Sequence, residues 1–87
     1  MAERRYVKVL AGFREDGIVM PVQIWWEGEP YAIEGVRGPV PAAAQKAGGC
    51  GDRYTIQVKG KQRYLFFERS AELAGNKIGR WFLEVNN

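Results

Sequence analysis

The sequence contains no histidine, one cysteine, one serine and one threonine among 87 residues. A Ser-His or Cys-His pair is therefore excluded. Zinc sites built on histidine and cysteine are excluded within one chain as well. Carboxylates are present, but most fall at strand ends and turns. No catalytic residue, metal ligand or cofactor is assigned, and a non-enzymatic function is expected. The lone Cys50 cannot close an intramolecular disulfide, so a reducing cytoplasm is the expected setting. Long apolar runs are also missing, since a membrane span needs ~20 such residues. The stretch MAERRYVKVLAGF is interrupted by Lys8 and followed by Arg14-Glu15-Asp16, so neither a secretory leader nor a membrane partner is expected.

Apolar and aromatic residues in short, regularly spaced stretches are abundant. Apolar residues make up 46% of the chain, with three Trp, four Tyr and four Phe, a globular composition. A chain this short buries roughly 60–65% of its unfolded surface, enough for one modest core. The expectation is a single domain over residues 1–87.

The dominant period is two, with turn residues between segments. In 5-RYVKVLAGF-13, Val7, Val9, Ala11 and Phe13 share a face; Asp16-Gly17 then signals a hairpin. In 18-IVMPVQIWWE-27, Met20, Val22, Ile24 and Trp26 share a face, and Pro21 marks an edge or bulge. The turn 27-EGEP-30 leads to 31-YAIEGVR-37, where Gly35 marks a bulge or sharp bend. A long connection is expected over 38–52, where Ala42-Ala43-Ala44 can begin a helical turn. Then come 53-RYTIQVK-59, a tight turn at Gly60-Lys61, and 62-QRYLFFER-69. The polar stretch 70–79 reads as one helical turn between Ser70 and Gly75; 80-RWFLEV-85 is the last segment. Closing such segments removes exposed sheet edges. The fold expected is all-β, a small antiparallel SH3-like barrel or roll of five to six strands, with an OB-like barrel as the alternative.

Two features invite a ligand. The charge is uneven: residues 1–45 carry five Lys/Arg and six Asp/Glu, whereas residues 46–87 carry eight and four. A basic half suits a polyanion, although it also serves solubility. The second feature is an aromatic outward face, with Trp25, Tyr64, Phe66 and Phe82 on the side opposite the core positions. Such rings can stack bases, join a protein partner or a second copy, or be covered by the connections at 38–52 and 70–79.

The stretch 45-QKAGGCGDRY-54 resembles a phosphate loop only superficially. Its Lys46 precedes the glycines and a strand follows them, so neither a P-loop nor a dinucleotide fingerprint is formed. An anion nest flanked by Lys46 and Arg53 stays open, as does a plain chain reversal eased by glycine. Cys50 has no histidine to activate it and is read as incidental.

The segments 21-PVQIWWEGEPYAIEGV-36, 46-KAGGCGDRYTIQVKGKQRYLFFE-68 and 79-GRWFLE-84 resemble a family of small uncharacterised proteins from plasmids and integrative conjugative elements of Firmicutes. The spacing of Pro21, Ile24, Trp26, Gly28, Tyr31, Ile33 and Val36 is also similar to a short domain of unknown function encoded near Y-family DNA polymerases. The resemblance implies a small β-barrel in a mobile-element or DNA-metabolism setting, and it carries no catalytic residue.

The function expected is binding of nucleic acid, or of a complex that processes it. Lys46, Arg53, Lys59, Lys61, Arg63 and Arg80 would meet phosphates, with Trp25 and Phe66 stacking bases. The alternative is a protein-interaction or self-association module built on Trp25, Tyr64, Phe66 and Phe82.

Overall fold

Tight turns set the architecture. Glu27-Gly28 and Lys59-Gly60 each place two successive residues at positive φ (49° and 81°; 51° and 74°). That is the two-residue hairpin turn whose twist matches paired strands. Asp16-Gly17 turns differently: the Gly17 N–H donates to the Arg14 carbonyl at 2.9 Å, and the Asp16 carboxylate accepts from the Ile18 N–H at 3.1 Å.

The structure is a computed structural model that describes residues 2–44, 49–69 and 78–86, with backbone alone at 2, 42–44, 49, 50 and 86. The turns separate β1 (Ala2–Val7), β2 (Val9–Phe13), β3 (Val19–Trp26), β4 (Glu29–Ala32), β5 (Gly35–Ala44), β6 (Gly49–Val58), β7 (Lys61–Arg69) and β8 (Gly79–Asn86). All pairings are antiparallel. The larger sheet has the order β1-β8-β7-β6-β5 and the smaller β2-β3-β4.

The fold is the all-β antiparallel roll expected. The expected segments recur, but two of them bend and contribute a strand to each sheet. The first bends at Lys8, between β1 and β2; the third bends at residues 33–34, between β4 and β5. Backbone bonds hold both corners: Trp25 N–H to the Lys8 carbonyl at 3.0 Å, Ile33 N–H to Val22 at 3.0 Å, and Glu34 N–H to Gln57 at 2.8 Å. Gly35, read as a bend, opens the strand after the second corner.

Between the sheets lies the core: Ile24, Tyr54, Ile56, Leu65, Phe67 and Leu83, all buried. Burying a side chain such as Leu65 contributes ~1.5–3 kcal/mol. Tyr54 also joins the sheets, its hydroxyl donating to the Val19 carbonyl of β3. Burial, and secondarily the nearby Asp52 charge, raise its phenol above the ordinary range.

The structure corrects four expectations. Phe13 is not a core residue; it sits at the end of β2, 71% exposed. Val22 also leaves the core, at 53% exposure, because a bulge changes the phase of β3. Leu10 pairs with Gln23 and Ala11 with Pro21, skipping Val22. An extra residue in a ladder shifts the residues beyond it to the other face, so Pro21 marks the bulge as expected. Within the expected connection 38–52, the described residues 38–44 and 49–52 are strand, not loop. Val40–Ala44 pair with Arg53–Gly49 in register, beyond a shift at Gly38-Pro39. Ala42–Ala44 are accordingly strand, not a helical turn, and the backbone ladder replaces the absent β-branched signal. Finally, Gly49-Cys50-Gly51 is extended strand and does not curl its N–H groups around an anion. Gly51 is needed for close approach: a Cβ there would meet the Phe67 carbonyl oxygen at 2.8 Å. The helical turn read between Ser70 and Gly75 lies outside the described residues.

Candidate nucleic-acid interface

Alternation along β1, β6, β7 and β8 places aromatics and cations on the outer face of the larger sheet. Tyr6 opposes Phe82, Phe82 opposes Phe66, and Phe66 opposes Arg53. The Phe66 and Phe82 rings stack 4.9 Å apart at 6°, and Tyr6 meets Phe82 edge-on at 5.6 Å. Such pairs are worth ~0.5–1.5 kcal/mol beyond the area they bury. Arg4 lies 4.5 Å from the Phe82 ring centre and Arg80 4.2 Å from that of Tyr6. Both guanidiniums end on Glu68, at 2.6 and 2.9 Å. Burial works against the Glu68 charge, but hydrogen bonds from Arg80 and Arg4 outweigh it and hold the carboxyl below its usual range. The centre of this cluster is covered: Phe82 is only 4% exposed although Tyr6 beside it is 44% exposed, and the two cations share one counter-ion, Glu68.

Residues of β3, β4, β6, β7 and β8, with Lys59 of the β6–β7 turn, line a groove of ≈ 290 Å³. Its walls are Ile24, Trp26, Tyr31, Val58, Leu83 and Val85; Lys59, Lys61, Arg63 and Glu84 form its rim. The inward face of β7 runs Phe67, Leu65, Arg63, Lys61, so the chain passes from buried apolar to exposed cationic as it leaves the core. Arg5 lies 4.8 Å from the Trp26 ring and Lys59 5.1 Å from Tyr31. Ion pairs among the described residues lie elsewhere, on Glu68, Asp16 and Asp52. Lys59, Lys61 and Arg63 thus carry charge that no carboxylate of the described residues answers by an ion pair.

Comparison with protein-family models, curated proteins and solved structures finds no match to this chain.

The structure gathers only some of the residues named from the sequence. Lys59, Lys61 and Arg63 meet at the groove. Arg80 is tied to Glu68. Arg53 lies over Tyr64 at 4.8 Å, with its Nε buried and unpaired among the described residues. Phe66 belongs to the closed stack. Trp25 is on the other sheet, with the Lys8 ammonium 4.6 Å from its ring, so it does not share a patch with Tyr64, Phe66 and Phe82. Lys46 lies outside the described residues. Sequence reasoning missed Trp26, read as core-facing, and Tyr31, given no role at all; their nearness to hairpin turns was the available signal. No helix among the described residues is long and apolar enough to cross a membrane. No group of three or more His, Cys, Asp or Glu among them is placed to hold a metal ion.

Proposed function

We propose that this chain is a non-enzymatic nucleic-acid-binding module that meets phosphates with Lys59, Lys61 and Arg63. One observation carries the reading: these cations ring an open apolar groove and have no ion-pair partner among the described residues. Unanswered cations beside accessible rings suit a polyanion whose bases offer flat apolar faces. The resemblance to plasmid and conjugative-element proteins favours the same setting, by analogy. Fluorescence anisotropy with labelled DNA and RNA oligonucleotides tests it. Binding should weaken steeply with salt, and Lys61→Gln with Arg63→Gln should reduce the salt slope by about two. No binding to any oligonucleotide at low salt overturns the proposal.

A second reading rests on the outer face of the smaller sheet. Leu10 and Val22 are each 53% exposed there, and Trp25 is on the same face by strand alternation. That patch suits a protein contact, including a second copy of the chain. A dimer in sedimentation that dissociates on Trp25→Ala supports it; a monomer at all concentrations removes self-association.

A further inference from the structure

We infer that the groove seats an unpaired base of a single strand against Tyr31 and Trp26, while Lys59 and Arg5 leave those rings for the flanking phosphates. The inference rests on the nucleic-acid reading above and specifies the form of nucleic acid bound.

Size is the first argument. At ≈ 290 Å³ the groove lies near the lower end of small-molecule sites. It takes one flat ring, not a duplex, in which base faces are hidden by stacking. A duplex could offer the rim only its phosphates.

The rings supply the second argument. Trp26 and Tyr31 are half-buried and line the groove, and each has a cation beside it from the protein itself. Base–aromatic stacking is worth more than an exposed cation–π contact. A displaced cation loses little here, because a strand brings a phosphate beside each base. Exchanging a cation on a ring for a base on the ring and the cation on a phosphate therefore favours the bound state.

The third argument is rigidity. Lys59 sits in a two-residue turn at φ 51°. The neighbouring Gly60 N–H donates to the Glu34 carboxylate at 3.0 Å, and Glu34 is held to Gln57 through its own N–H at 2.8 Å. The turn is anchored while the lysine side chain, exposed and without an ion pair among the described residues, is free to swing. Such a site keeps its walls and moves only its cations. Among the rim residues Glu84 is the single carboxylate, and it falls on the outward-facing register of β8, beside Phe82.

The test compares a labelled single-stranded oligodeoxynucleotide with the same strand annealed to its complement, at one low salt concentration. Single strand should bind about tenfold or more tightly. Tyr31→Leu should lose about tenfold for single strand and leave duplex affinity unchanged, whereas Tyr31→Phe should keep single-strand affinity. Lys61→Gln should weaken both forms. If Tyr31→Leu does not fold by thermal melting, Tyr31→Phe still decides: a tenfold loss on that ring-preserving change overturns the inference. Equal affinity for the two forms, with Tyr31→Leu silent, overturns the inference and leaves the nucleic-acid reading intact. Binding to neither form overturns both.

Discussion

On the outer face of the larger sheet, Arg4 and Arg80 lie over Phe82 and Tyr6. In the groove, Arg5 and Lys59 lie over Trp26 and Tyr31. The ingredients are alike: arginine or lysine beside an aromatic ring in each. The difference is Glu68, which accepts from both outer-face guanidiniums and sits beside the Tyr6 hydroxyl. There one carboxylate partly compensates both cations inside the protein, and Phe82 is covered. At the groove the cations of the rim lack such a partner among the described residues, and the apolar walls stay open. A cation beside a ring marks a binding site only where its charge is not already balanced within the protein.

The comparison breaks most visibly at Phe82. If the outer face is a structural layer, Phe82→Ala should cost about 3–5 kcal/mol and lower the melting midpoint by about 15 °C or more. Calorimetry or a denaturant titration measures this. A loss below ~1 kcal/mol would return Phe82 to the candidate binding surface.

Glu68→Gln comes next, at about 1–2 kcal/mol. The value is modest because Arg80 is largely solvated, while Arg4 is not. Its pH dependence sharpens the assignment. The Glu68 carboxyl is held below its usual range when folded, so its contribution is present above the ordinary carboxylate range. It is lost as the pH falls through the folded-state value. Melting midpoints of the wild type and Glu68→Gln should therefore differ at neutral pH and converge in acid. A gap that persists at low pH would mean that Glu68 acts through packing, not charge.

Smallest in stability are Lys61→Gln and Arg63→Gln, each within about 0.5 kcal/mol, since these exposed side chains make no ion pair among the described residues. Their effect should appear in nucleic-acid affinity alone, whereas Arg80→Gln should alter stability and leave affinity unchanged. Reversal of that pattern would exchange the roles of the two regions.

Much of this was legible along the chain. Tyr54, Ile56 and Val58, then Leu65 and Phe67, then Trp81 and Leu83 alternate cleanly, and all of them pack in or against the core. Asp16-Gly17 and the turn 27–30 were legible from their glycines, whereas the turn read at Gly60-Lys61 falls one residue earlier, at Lys59-Gly60, with Glu27 and Lys59 themselves at positive φ. The features that escaped were long-range. A bulge near Pro21 was legible, but not that it exposes Val22, which depends on which residues of β2 it faces. The strand pairing of 40–44 with 49–53 is rich in Gly, Pro and Ala, which carry little strand signal of their own; it exists because backbone groups found partners.

By itself, then, the sequence determined the period, the turns and most of the residues that face inward, because each depends on neighbours a few positions away. It also set the surplus of cations in the second half. Only the tertiary structure decided which cations are balanced. Arg4 and Glu68 lie 64 residues apart, and they meet because β1 and β7 both flank β8. The same closure brings Trp26 and Tyr31 of the smaller sheet beside Val58, Lys59, Lys61 and Arg63 of the larger one, as the walls and rim of an open groove. Charge balance at a surface is a property of distances through space, and those are set by strand order and register.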